Sequence, residues 1–214
     1  MTTATPSWVM TYDSLTYYVL QYLERSDQAT INAIPTFITL AEFEIAQEIK
    51  TLGQLQIVEA TMNAGSPNLP KPARWRKTVS MNYTDASGNK NPVNVRKYEY
   101  LINYDQNGAT TGAPLYYADT SWDWWYISPT PDQSYAFEVL YYERIAPLSS
   151  TNQTNWLTQN APTAMLYGTL LQAMPFLKND QRQIFQQKYT EAISSLKSED
   201  VSRVADRQAI AVDS

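Results

Sequence analysis

The chain has 214 residues, enough for one domain, or one domain carrying a large insertion, and long enough to bury a substantial core. With Cys 0 and His 0 it can form no disulfide, thiol nucleophile, Cys/His zinc site or histidine-based triad, and a formal net charge of −5 gives no basic footprint for gripping phosphates. The start, MTTATPSWVMTYDSL, has neither a basic n-region nor an apolar h-region, and no window approaches the roughly 18 apolar residues of a membrane span, so the expectation is a protein that stays in the cytoplasm or in a particle assembled there.

Leu15, Tyr18, Val19, Tyr22 and Leu23 recur at helical spacing, with Thr11 or Asp13 available as N-terminal cap and Ser26-Asp27 as the break. In IPTFITLAEFEIAQEIKTLG, Pro35 suits a first helical turn, Phe37, Ile38, Ala41, Ile45, Ile49 and Leu52 share one face, and Gly53 is the stop. Two helices therefore open the chain.

From Gln54 to Pro147 the pattern turns to period two, as in QLQIVEATMN, WRKTVSMNY and VNVRKYEYLINY, broken by TDASGNKNP and DQNGATTGAP. This predicts five or six strands. WDWWYIS and SYAFEVLYYER read as a hairpin, with PTPDQ as its turn because proline fixes φ at Pro129 and Pro131.

After a polar loop, SSTNQTNWLTQN, helical spacing returns. Asn160 can cap, Pro162 fits a first turn, and Met165, Thr169, Leu170, Ala173 and Leu177 form a face that Pro175 kinks or breaks. Asp180 then caps a helix with Phe185, Tyr189, Ala192, Ile193 and Leu196 inward. The last segment, SEDVSRVADRQAIAVDS, is too polar for a core helix and reads as an arm that orders on a partner. The expected fold is α+β: an antiparallel four-helix bundle (1–53 and 148–200) with a β-rich insertion (54–147) and an extended C-terminal arm (201–214), because helices at both ends of the chain must bury their apolar faces on each other.

Three groups are candidates for chemistry. Glu42, Glu44 and Glu48 share one helix and can be imagined as a metal site or acid/base pair; the simpler reading is a solvated face, with Glu42 able to bond a neighbouring chain end. ARWRKTV, with Arg96 and Lys97 beyond it, makes either a small basic aromatic patch for DNA backbone or ordinary cross-strand charge pairs. Trp122, Trp124, Trp125, Tyr126, Tyr141 and Tyr142 form either a sugar platform or, as rings more often do, core and subunit interface. With six glycines and no GxxxxGK or GxGxxG there is no phosphate cradle, and no cofactor or enzyme is expected.

The ordered set TYDSLTYYVLQYLERSD, IPTFITLAEFEIAQEI, LPKPARWRKTVSM, WYISPTPDQSYAFEVLYYERIAPLS and TNWLTQNAPTAMLYGTLLQAMPFLKND resembles the head-to-tail adaptor (connector) proteins of tailed bacteriophages over roughly Thr11 to Leu196. The resemblance implies a virion structural protein of the capsid–tail neck, assembled in the host cytoplasm. It implies a homo-dodecamer ring on the portal, a stopper, nozzle or tail-tube protein downstream, double-stranded DNA passing through without specific binding, and no membrane partner. It also implies a portal-binding arm, which falls on Val201, Arg203, Val204, Asp206, Arg207, Ile210 and Val212, and a subunit or tail interface on Trp122, Trp124, Trp125, Tyr141 and Tyr142. NAPTAML lacks the acidic residue often found after the proline in that family, leaving the helix start to Asn160. The alternatives are a stopper or tail-completion protein, which the four expected helices disfavour, and a carbohydrate-binding module using the tryptophans.

Overall fold

The computed structural model describes residues 9–49, 54–106, 108–178 and 182–210. Two helices lead, α1 (Tyr12–Leu23) and α2 (Gln28–Glu48). There follow β1 (Leu55–Met62), β2 (Asn68–Pro70), β3 (Trp75–Thr84), β4 (Lys90–Val95), α3 (Tyr98–Tyr104), β5 (Thr111–Gly112), β6 (Tyr116–Asp119), β7 (Trp124–Ser128), β8 (Thr130–Pro131) and β9 (Tyr135–Glu143). The chain ends in α4 (Trp156–Asn160), α5 (Pro162–Leu177) and α6 (Arg182–Ile210). Its contacts divide it into two compact units, a helical one from 1–54 and 145–214 and a β-rich one from 55–144.

In the helical unit, Thr11 rather than Asp13 caps α1: its hydroxyl accepts from the Ser14 N–H at 3.1 Å, and Ser14 Oγ accepts from the Thr11 N–H at 2.8 Å. Leu15, Val19 and Leu23 turn inward, and Glu24 ends the helix in the left-handed region. Helix α2 starts seven residues before Pro35, because Asp27 is a cap and not a break; its carboxylate accepts from the Thr30 N–H and hydroxyl, each at 2.9 Å. An interior proline costs ~3 kcal/mol. The cap, at about 1 kcal/mol, and burial of Ile34, at about 1.5–3 kcal/mol, offset it.

Helix α5 is the centre of this unit and packs on α1, α2, α4 and α6. Ala164, Met165, Leu170, Leu171, Ala173 and Met174 are all buried, the composition of a helix covered on most sides. At Gly168 a Cβ would lie 3.3 Å from the Tyr189 ring and 3.4 Å from the Ala41 Cβ, so glycine lets α2 and α6 approach α5 closely. Pro162 sits in the first turn as expected, but the cap position is Ala161, and the Asn160 side chain donates back to the Trp156 carbonyl instead.

The β-rich unit holds one seven-stranded mixed sheet, ordered β1-β9-β3-β4-β6-β7-β2, and a small β5-β8 pair. All neighbours in the large sheet are antiparallel except β4 and β6. Strand β9 pairs along all of β1, Leu55 opposite Tyr142 through Met62 opposite Tyr135, so the chain joins and leaves the unit at adjacent positions. Its other neighbour, β3, carries two irregularities, between Trp75 and Lys77 and between Thr78 and Ser80. The inward side chains make one core of Met62, Leu69, Met81, Val93, Tyr117, Trp125, Ile127, Tyr135, Phe137, Val139 and Tyr141.

The four-helix bundle with a β insertion and extended arm is therefore incorrect: the described residues form six helices and a large mixed sheet. Three local causes explain the difference. The tyrosines of KYEYLINY alternate like a strand, yet Leu101 is the buried residue of a two-turn helix. TNWLTQN looks like a loop because its polar residues cap: Asn155 and Thr158 exchange hydrogen bonds with each other's backbone at the start of α4. The polar tail continues α6 as far as Ile210, since SEDVSRVADRQAI has no glycine or proline and propagation costs little once Phe185, Tyr189, Ile193 and Leu196 anchor the helix.

The expected hairpin is also corrected. Strand β7 lies between β6 and β2, and β9 between β1 and β3, so WDWWYIS and SYAFEVLYYER never pair. PTPDQ instead includes β8, which pairs with β5. The described residues of this unit hold nine strands, seven in the large sheet and two in the small pair, rather than five or six, because short strands such as β2 and β5 carry too few residues to display a period.

Candidate interaction surfaces

Trp125 and Trp75 both point an indole N–H at one oxygen, Thr78 Oγ1, each at 3.1 Å. Their rings meet edge-on, 6.3 Å apart. The Lys71 ammonium, on a side chain only 1% exposed, sits 3.7 Å from the centre of the Trp75 ring, bonds Asp119 at 3.0 Å and donates to the Ser121 carbonyl at 2.7 Å. Burial so complete is tolerated because charge, ring face and carbonyl together replace water. Above this, Trp122 is 60% exposed, with the Arg144 guanidinium 4.1 Å from its centre. Tyr117, buried nearby, has its phenol pushed up to about 12 by burial and then by the Asp119 charge, against the pull of its Thr78 hydrogen bond.

A second cluster surrounds α3. Tyr100 and Tyr104 stack at 6.4 Å, both meet Tyr116 edge-on at about 5.5 Å, and Tyr98 meets Tyr126 likewise. Arg96 lies over Tyr100 and Tyr116. Tyr98, Tyr100 and Tyr104 stay exposed, as do Val95, Ile102 and Leu115.

In the helical unit the three α2 carboxylates each hold a later part of the chain. Glu42 is buried, and its Oε1 accepts from the Leu148 N–H at 3.0 Å and from Asn155 Nδ2 at 2.6 Å. Burial pushes its carboxyl up to about 7, although both hydrogen bonds favour the charged form. Glu44 accepts from Gln172, and Glu48 accepts from the Tyr189 hydroxyl and pairs with Lys197, both at 3.2 Å. The Tyr189 phenol is driven upward by burial and by these two carboxylates. A solvated acidic face is thus the wrong description of Glu42. Among the described residues no three carboxylates gather as a metal site.

The sequence-selected residues scatter. Trp125 and Tyr141 are in the core, Tyr142 is half-buried, and Trp122 and Trp124 are exposed. The basic patch does not form as one surface: Arg74 pairs with Glu143 at 2.9 Å, whereas Arg96 belongs to the tyrosine cluster. Val201, on α6, is 68% exposed; Arg203, Val204, Asp206, Arg207 and Ile210 follow on the same helix, and Val212 lies outside the described residues, as do Leu52, Gly53 and Asp180. The structural roles of Lys71 and Thr78 carried no sequence signal. That of Glu42 did, since it stands four residues after Ile38 and three before Ile45.

In the two ring clusters the polar groups hold neighbouring elements, and Trp122, Tyr98, Tyr100 and Tyr104 present ring surface outward. The chain belongs to the SU10 adaptor protein family, which it matches over residues 10–211. This is a family of bacteriophage head-to-tail adaptors, structural proteins of the virion neck, whose neighbours are portal and tail proteins in general. No curated protein matches the chain. None of the described helices is long and apolar enough to cross a membrane.

Proposed function

We propose that this adaptor forms a twelve-fold ring beneath the portal, joins capsid to tail and lines the DNA exit channel, after assembly in the host cytoplasm. The family match is the observation that carries this reading. The charge supports it: at −5 per copy a dodecamer carries a formal charge of about −60, a field that repels phosphate and lets duplex DNA slide past. The portal contact is assigned to the end of α6 and the residues after it, with Val201, Val204, Ile210 and Val212 as apolar anchors and Arg203, Asp206 and Arg207 as polar contacts. A segment that docks only in the assembled neck binds weakly as a single copy, and twelve linked copies make detachment slow. The subunit or downstream contact is assigned to Trp122, Trp124 and Tyr142, with Trp125 and Tyr141 forming the core on which they rest.

Native mass spectrometry with negative-stain imaging tests this, using the chain alone and co-expressed with the portal from the same genome, full-length and ending before Val201. The expected result is a twelve-fold ring on the portal that the truncation loses. Absence of any portal association in the full-length chain would overturn the reading.

A further inference from the structure

The two edges of the large sheet differ sharply. One is β2, three residues long with Pro70 at its end and Pro67 and Pro72 close by, a blunted edge. The other is β1, eight residues without a proline, whose only sheet neighbour among the described residues is β9. Half of its backbone N–H and C=O groups point away from β9. Its side chains do not cover that edge: Gln56, Ile57, Glu59, Ala60 and Thr61 are all exposed, Ile57 at 61%. With one charged residue, Glu59, it lacks the protection that exposed edges usually carry.

Around Glu59 there are two carboxylates and one cation. Across the ladder it faces Glu138, a like charge, and one ammonium serves both carboxylates: Lys90 bonds Glu138 at 2.6 Å, and that bond, the Glu138 charge and, more weakly, the Glu59 charge push its pKa up. Among the described residues Glu59 has no ion pair of its own. A strand laid along β1 with a cation opposite Glu59 would supply a second positive charge for the two carboxylates.

We propose that the free edge of β1 captures an extended segment of a different neck protein, of about eight residues or ~27 Å, with a lysine or arginine opposite Glu59. This rests on the head-to-tail reading and names one contact within it. A second copy of the chain fits less well. Its β2 edge is too short, and β1 against β1 in full register places Val58 opposite Glu59, leaving the carboxylate unmatched. Such a two-fold pair also closes on itself and cannot continue around a ring.

The absence of cysteine makes the test clean. An Ile57→Cys variant is built into the phage, and purified virions are treated with a short thiol-to-amine cross-linker; in parallel, hydrogen exchange over Leu55–Met62 is compared between the free wild-type chain and the same chain in isolated necks. The expected results are exchange slowed about a hundredfold on assembly and a cross-link from position 57 to a lysine in or beside an extended, Lys- or Arg-bearing segment of another protein. Glu59→Arg, which adds the like charge without adding an amine for the reagent, should cut the yield of that cross-link roughly tenfold through repulsion, and Glu59→Gln less. If the chain is present in the neck but β1 exchanges as freely as before, or cross-links only to its own copy, the inference is overturned and the adaptor reading stands. A chain absent from virions would overturn both.

Discussion

Each unit of this adaptor buries a charged side chain, and the two do so by opposite means. In the β-rich unit, Lys71 is matched by a counter-charge, Asp119, and by the face of Trp75. In the helical unit, Glu42 has only neutral donors, the Leu148 N–H and the Asn155 amide. A buried carboxylate held by neutral donors is left near its own neutralisation point, about 7 for Glu42, because burial outweighs the two hydrogen bonds. The helical unit thereby carries a stability that depends on mild changes of pH.

The strongest way to break the contrast is to remove the ring that roofs the β core. Trp125→Ala is expected to destabilise by about 3–5 kcal/mol in denaturant unfolding, because a fully buried indole leaves a cavity and takes from Thr78 one of its two indole donors. An unchanged midpoint would mean that the rings are not what holds this unit together.

Next comes pH. The unfolded chain titrates Glu42 near 4.5 and the folded chain near 7, so the folded state binds this proton more tightly. The stabilisation is complete below pH 4.5 and is lost as pH rises through 7, at about 3 kcal/mol in all. Glu42→Gln keeps an oxygen for both donors, since Oε1 accepts both, and should flatten the stability profile across that window. A profile equally sloped in the variant would assign the slope to other groups.

Smaller still, Thr78→Val takes the shared acceptor from two indoles and should cost about 2 kcal/mol, read from thermal unfolding, with tryptophan emission shifted. Smallest is Trp122→Ala: the ring is mostly exposed, so stability should move by less than about 1 kcal/mol while any partner contact it makes is lost. A large loss of stability there would place Trp122 with the core instead.

Much of this was legible from residues alone, and where it was not the reason is local. Helices α1 and α5 declare themselves through Leu15, Val19, Leu23 and through Met165, Leu170, Ala173, because burial on one face writes a period of 3.6. Strand pairing writes no such mark: WDWWYIS and SYAFEVLYYER alternate identically whether they pair with each other or, as here, with β6 and β1. The same limit hid α3, where Tyr98, Tyr100, Ile102 and Tyr104 recur at every second position and satisfy a strand pattern as well as a short helix. Glu42 was readable from its spacing between Ile38 and Ile45, but carboxylates are so seldom buried that composition argued the other way. Lys71 and Thr78 act through residues some fifty positions away, and no local pattern encodes that.

The α2 carboxylates also set an order in time. Glu42 waits 106 residues for Leu148, and Glu48 waits 149 for Lys197. A ribosome adding about 5–20 residues per second needs roughly 5–20 s to cover the shorter of these gaps. Meanwhile the β-rich unit is synthesised whole, from β1 to β9, between the two halves of its neighbour. During synthesis, then, α2 emerges as a nascent helix with its apolar side open to whatever meets the exit tunnel, and a chaperone that shelters it until α5 arrives would raise the yield of this protein more than one acting on the finished chain.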